Sequence, residues 1–546
     1  MKPRSFVAAL WLVLLSLAAT APLPPPPPRT LILIDPFTEY LSGHLKQYCS
    51  AQNIRVVELA SHYTAGAIEQ RDMKVPSSFK APRTEDLEAW AADENISLDP
   101  VDTFVLSESD CGAEDAERIA AALGLRGNGP SPHLRNKYLA NEVLRERGVP
   151  AVQQALVGSL EELEDFLLRQ LWPSQGGETY CVVKPYRGVA SDGVFLCASL
   201  EEAKHAFAKL HQQPRFGGGV NDKVLVQQYV VGTEYAVDTV ASDGRIKVAA
   251  LWRYRKLPAN GAPFVYQCSE LVAAEGAEAE AVCDYCVELL QALGLRWGPT
   301  HTEIKATPDG PRLIEVNAGR FHAQHFQPIV RRCLGYDALA ATLDGFFAPG
   351  AFDLLPDRPD RLLSHGLILH LINARQGTVR AVRHEEEIRA LPSVIGLHLE
   401  AGVGEPIART VDIRTDSGYA LLVHDDDAVV QADFNRIVQL QSSIFDVDEV
   451  SNAPAGAAGG AQAAPPPLFQ NHQQQQHRHQ QRGAAAAAAD MGLQVAGAVG
   501  QQLRRVLASP FGAKISRIAL RVPALVAVYL AVAYAFGLLL PIVMGY

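Results

Sequence analysis

The stretch from His301 to Arg320, HTEIKATPDGPRLIEVNAGR, constrains the fold more than any other in the chain. Its apolar–polar alternation on either side of Pro308-Asp309-Gly310 predicts strand, turn, strand. With the turn centred on Asp309, Glu303 lies opposite Glu315, and the two-residue period puts Asn317 on the face of Glu315. Like charges directly opposed across two strands destabilise the pair. A hard cation between them removes that penalty, and two carboxylates with an amide oxygen make the all-oxygen set that magnesium accepts, completed by phosphate and water. A solvated surface hairpin with a shifted register is the alternative.

A second stretch, CVVKPYRGVASDGVFLC from Cys181 to Cys197, begins as a strand and stops at Lys184-Pro185 before a small-residue loop. The Gly-x-x-x-x-Gly-Lys-Ser/Thr phosphate loop is absent, and no Gly-x-Gly-x-x-Gly follows the first strand, so the two commonest nucleotide fingerprints fail. Here the lysine precedes the loop. A strand-end lysine is a point charge able to reach a phosphate, and Gly188, Ala190, Ser191 and Gly193 let backbone N–H groups approach anionic oxygens. A glycine-rich hairpin with an incidental lysine would read similarly. In VLVQQYVVGTEYAVDTVA, residues 224 to 241, two apolar strands flank Val231-Gly232-Thr233. Free backbone groups at that break suit a planar heterocycle, and Glu234 suits ribose hydroxyls, although a plain hairpin looks alike.

The ends differ from the middle. Residues 1–29 combine Lys2 and Arg4, an apolar run from Phe6 to Ala19, and a proline spacer, the pattern of a secretory or organelle-targeting segment. Residues 451–516 are rich in Ala, Gln, His and Pro and read as a disordered tether. Within residues 517–546, Val522 to Met544 is uncharged and apolar, about the ~20 residues of a membrane-spanning helix. Arg504, Arg505, Lys514, Arg517 and Arg521 precede it with no charge after it, which favours a cytosolic body, single-pass anchored. A cleaved N-terminal signal would instead place the body in the lumen, where Asn95-Ile96-Ser97 becomes a glycosylation acceptor. A net charge of -11 argues against a nucleic-acid partner. Cys283 and Cys286 lie on the apolar stripe of a predicted helix and are assigned to core, with no metal.

The order of these motifs resembles the ATP-grasp superfamily, and within it the carboxylate–amine ligases that include bacterial L-amino acid ligases and carnosine synthase. The elements carrying the resemblance are a helix with Lys137 (RNKYLANEVLRERGVP), Lys184 and its loop, Gly232-x-Glu234, and the Glu303…Glu315-x-Asn317 hairpin. It implies an α/β fold of the α+β ATP-grasp type. A Rossmann-like domain over 30–128 would precede a two-lobed ATP-grasp domain over 129–349 and a β-rich subdomain over 350–450. It implies that Lys137 and Lys184 hold the phosphates of ATP, that the loop with Gly188, Ser191 and Gly193 closes over them, and that Gln228, Tyr229 and Val231 border adenine. Glu234 would meet ribose, and Glu303, Glu315 and Asn317 would hold Mg2+, or Mn2+. Arg253, Lys256 and Arg320 are expected catalytic groups holding carboxylate or phosphate, with His322 at the pocket edge. Two departures stand out: Gln227-Gln228 where an acidic residue is frequent, and Asn317-Ala318-Gly319-Arg320 where Asn-x-Arg is usual. The implied substrates are an amino acid or other carboxylate plus an amine, joined by an ADP-forming ligase, and dimers are common in the superfamily. A carboxylase or phosphotransferase, or a membrane-tethered ATP-binding protein without catalysis, are the other readings.

Overall fold

The first described strand is β1 (Arg29–Ile34), in which Leu31, Ile32, Leu33 and Ile34 are all fully buried. Strand alternation sends Leu31 and Leu33 into one core and Ile32 and Ile34 into another, the double-sided burial of a central parallel strand. β1 pairs in parallel with β2 (Ile54–Leu59) and β3 (Thr103–Ser107), giving the order β2-β1-β3 with intervening helices. The computed structural model describes residues 29–449 apart from 37–38, 70–78, 173–179, 188–192, 215–219 and 321–323. The expected N-terminal segment, the tether and the apolar run Val522 to Met544 lie outside the described residues, as do Gly188, Ser191 and His322. Among the described residues no helix is long and apolar enough to cross a membrane.

After the helix Lys137–Glu146, a four-stranded antiparallel sheet forms in the order β4-β7-β5-β6 from β4 (Gln154–Val157), β5 (Cys181–Lys184), β6 (Phe195–Cys197) and β7 (Val224–Gln228). The larger sheet has eight antiparallel strands, in the order β12-β11-β8-β9-β10-β13-β17-β15. Five come from the middle of the chain: β8 (Thr233–Ser242), β9 (Arg245–Ala259), β10 (Ala262–Val272), β11 (Gly298–Thr307) and β12 (Gly310–Ala318). The other three, β13 (His365–His370), β15 (Val394–Leu399) and β17 (Gly418–His424), belong to the stretch expected to be a separate subdomain. That stretch is β-rich, but β13 pairs directly with β10, so these strands extend the preceding sheet. Only β14 (Gly377–Val382), β16 (Pro406–Ile407) and β18 (Phe445–Glu449) form a small sheet of their own. The helix Ala277–Ala292 buries Val282, Cys283, Cys286, Leu289 and Leu290 against β11 and β12, so Cys283 and Cys286 are core, as expected.

Candidate active site

The β11–β12 hairpin sets the geometry of the site. Its turn is tighter than the sequence suggests: Thr307 pairs with Gly310, leaving Pro308-Asp309 as a two-residue turn. That register alone would place Ile314 opposite Glu303. A β-bulge after the Ile304–Leu313 pair absorbs one residue, and Glu303 pairs with Glu315 after all. The bulge leaves both Ile314 and Glu315 lining the cavity, while Leu313, Val316 and Ala318 remain in the core beneath. On β11 the two-residue period brings His301 and Lys305 to the same cavity wall as Glu303.

The cavity, about 370 Å³, lies between the two sheets. One end is charged. Lys137, at the first turn of a helix capped by the Asn136 side chain, places Nζ 2.9 Å from Glu315 Oε1. Lys184, at the end of β5, is 5% exposed, and burial pushes its pKa down to about 8, with the charge of Lys137 adding to the shift and Glu315 opposing it. The Lys137 backbone N–H donates to the Tyr186 carbonyl, which ties the helix to the loop after Lys184. Asn317 Nδ2 donates to Glu315 Oε1 at 3.0 Å. Another part of the lining holds Val152, Val182, Val194, Phe264 and Tyr229, with Lys305 Nζ 5.1 Å from the centre of the Tyr229 ring. The Tyr229 ring lies 6.0 Å from that of Tyr180 and 6.3 Å from that of Phe264.

Glu234 also lines the cavity, 2.5 Å from Lys256 Nζ and 3.8 Å from Lys305 Nζ. Lys305 also donates to the Val230 carbonyl at 3.1 Å, anchoring the break before β8. At that break Gly232 is required, because a Cβ would stand 1.9 Å from the Ala306 carbonyl oxygen. Behind the hairpin, His301 Nδ1 is 3.1 Å from Asp238, whose other oxygen accepts from Trp252 Nε1. Burial works against a charged His301, but its hydrogen bonds to Asp238 and Glu303 outweigh that and raise its pKa to about 9. Burial likewise opposes ionisation of Glu303, yet His301, Lys256 and Lys137 hold its carboxyl far below the usual range.

The structure gathers most of the expected residues around this cavity: Lys137, Lys184, Gln228, Tyr229, Glu234, Lys256, Glu303, Glu315, Asn317 and Arg320. Gly193 sits in the left-handed region with φ 68° at the end of the loop after Lys184. Val231 lies on the adjacent break, 66% exposed and outside the cavity lining. Arg253 is a correction. It faces away from Tyr254 and Lys256 on β9, where Arg253 Nη2 pairs with Glu270 at 2.7 Å, so strand alternation keeps it from the cavity. Gln227 is buried with its amide donating to Gln154 Oε1, a wall contact. Arg320 does reach the cavity despite its displacement by one residue. Its Nη1 is 2.8 Å from Asp110, and its Nε is buried without a hydrogen-bond partner among the described residues.

Asp110, His301, Asp238 and Lys305 were missed. The alternation that selected Glu303 already implied His301 and Lys305. Nothing local marks Asp110, which reaches in after β3 and is held down at about pKa 2, against its burial, by Arg320 and Arg135. For a divalent cation, two directly opposed carboxylates with an amide beside them supply the hard-oxygen donors the ion needs. Among the described residues no group of three or more His, Cys, Asp or Glu forms a metal cluster on its own, so phosphate or water oxygens would complete the set.

The ATP-grasp domain family matches residues 178–327, from just before β5 to the segment after β12. The dapdiamide A synthase of Enterobacter agglomerans is 28% identical over 314 residues, covering 57% of this chain and 72% of that protein. A carnosine synthase of Gallus gallus is 32% identical over 147 residues, 27% of this chain but only 15% of that longer protein. Among solved structures, an L-amino acid ligase from Bacillus licheniformis superposes with a TM-score of 0.60 at 16% identity, covering 77% of this chain and 99% of that one. The segment that matches the ATP-grasp domain family thus runs from the strand ending in Lys184 through the paired glutamates.

Proposed function

We propose that this protein joins a carboxylate to an amine at the expense of ATP, through an acyl phosphate. One observation carries the reading: two lysines and two opposed glutamates from a helix, β5 and the β11–β12 hairpin converge on one cavity that also holds Tyr229 and Phe264. The rings of Tyr229 and Phe264 suit adenine, and Glu234 suits ribose hydroxyls. The relatives named as a dapdiamide synthase and a carnosine synthase point to amino acids or similar small acids as substrates.

The chemistry follows from charge. A carboxylate attacking the γ-phosphate brings two anions together, and Lys137 and Lys184 offset that repulsion and the charge that spreads over the transferring phosphoryl group. Glu303, Glu315 and Asn317 would hold Mg2+, which when bound neutralises phosphate charge. Arg320, with its uncommitted Nε, is positioned for the substrate carboxylate or the transferred phosphate. The acyl phosphate then meets the amine, carbon–nitrogen bond formation expels phosphate, and exclusion of water prevents hydrolysis.

The reading is tested by ADP release from the full chain supplied with magnesium, ATP and pairs of amino acids. Release that needs both an acid and an amine and yields an amide supports it. Release without amide product would favour a carboxylase or phosphotransferase. ATP binding without release would favour a binding protein. The apolar run Val522 to Met544 supports a single-pass anchor with the body on the cytosolic side. Asn95 is exposed, so a mass shift on endoglycosidase treatment would overturn the cytosolic placement.

A further inference from the structure

β10 and the strands that extend the large sheet beyond it carry groups the phosphoryl chemistry does not use. Ser269 on β10 lies in the cavity wall, directly paired with Tyr254 on β9. Its Oγ is 3.3 Å from His370 Nε2, and His370 Nδ1 is 2.7 Å from Asp416 Oδ2. His370 ends β13, and Asp416 sits in the turn leading into β17. Ser269 is 1% exposed and His370 2%. An Asp416 carboxylate accepting from Nδ1 fixes the imidazole tautomer and leaves Nε2 as the acceptor facing the serine hydroxyl. The arrangement is costly as mere packing. Burial pushes the Asp416 carboxyl upward, and its Oδ1 is buried without a hydrogen-bond partner among the described residues. A serine in a cavity wall needs neither an imidazole nor a carboxylate behind it.

Resting on the ligase reading, we infer that Ser269, His370 and Asp416 form a proton relay that activates the amine substrate. At neutral pH an α-amine is largely an ammonium ion without a lone pair to attack with. In the relay, one N–H proton passes to Ser269 Oγ as the serine's own proton passes to His370 Nε2, and Asp416 stabilises the resulting imidazolium. The amine nitrogen then bonds to the acyl carbon. The carbon–oxygen bond to phosphate breaks with its electron pair on phosphate, which takes the second amine proton. Ser269 is the group in reach of substrate, while His370 and Asp416 act through it.

The test compares two acceptors in the full chain, with magnesium-ATP and the twenty standard amino acids as acids. One acceptor is an α-amino acid. The other is hydroxylamine, which is already neutral at neutral pH and traps the acyl phosphate as a hydroxamate. Ser269→Ala and His370→Gln are expected to slow amide formation roughly 100-fold in kcat, with KM for the amine little changed. Both should leave hydroxamate formation close to that of the unsubstituted protein, which also shows that the variants fold. Asp416→Asn should fall between. Equal loss with both acceptors, or no loss with either, overturns the relay. If the unsubstituted protein forms neither amide nor hydroxamate, the ligase reading falls, and the relay with it.

Discussion

Two hairpins bring Lys184 and the paired glutamates to one cavity, and they are built to opposite specifications. β11 and β12 are ten and nine residues long, joined by a two-residue turn, and lie within and at the edge of an eight-stranded sheet. β5 and β6 are four and three residues long, joined through residues 185–194, in a four-stranded sheet. Carboxylates proposed to share one cation need a fixed separation, and a long ladder with a bulge provides it. A lysine proposed to meet a nucleotide that must enter and leave is served by a short pair, which has few backbone hydrogen bonds resisting movement. The difference teaches that the rigid hairpin should govern turnover and the short one affinity.

Substitution in each hairpin separates these roles. Glu315→Gln in the long hairpin should reduce ADP release about 10³-fold, with ATP affinity changed far less, since it removes a donor needed as phosphoryl charge develops. Lys184→Met at the end of the short hairpin should weaken ATP binding roughly 100-fold by calorimetry. If Lys184→Met lowered kcat and left binding intact, the division between the hairpins would collapse.

The pH dependence belongs to the short hairpin. Lys184 in the free protein has its pKa lowered from 10.5 to about 8. Above pH 8 it increasingly lacks the charge that meets phosphate, and ATP affinity should fall about fivefold from pH 8 to pH 9. Its effect on stability has the opposite sign. Between about 8 and 10.5 the unfolded chain holds a proton that the folded one has lost, so this group makes the free protein more stable as pH rises through that window. Both trends should vanish in Lys184→Met, measured by ATP titration and thermal melting at pH 7, 8 and 9.

The long hairpin was also the more legible of the two. Its strands alternate over enough residues to pair Glu303 with Glu315, although the pairing comes from a tighter turn offset by a bulge at Ile314, which no local pattern announces. What stayed hidden were contacts between distant segments: Asp110 with Arg320, β13 against β10, and the approach of His370 and Asp416 to Ser269. Such contacts are set by how sheets continue across the chain, and spacing within one segment does not encode them. Arg253 shows the converse failure. It stands three residues from Lys256 on an alternating strand, so the two must face opposite ways, and a candidate list built on charge ignored that period.

The smallest effect comes from making one change in both hairpins. Gly310, at the end of the long hairpin's turn, has φ 94°, and an added Cβ there would meet only Arg312 Nη1 at 3.7 Å. Gly193 has φ 68°, but its Cβ would stand 2.8 Å from Leu210 Cδ2 and 3.3 Å from the Pro185 ring. Alanine at either position costs about 1 kcal/mol for the left-handed backbone. At Gly310 that cost falls on a sheet with many hydrogen bonds to spread it over, so Gly310→Ala should lower the melting temperature slightly and leave KM for ATP unchanged. At Gly193 the crowding presses on Pro185, the residue that follows Lys184, so Gly193→Ala should raise KM for ATP about threefold to tenfold at nearly constant kcat, on the order of 1 kcal/mol. Equal behaviour of the two alanines would mean that the short hairpin is held as firmly as the long one, and affinity and turnover would then have to be divided elsewhere in the cavity.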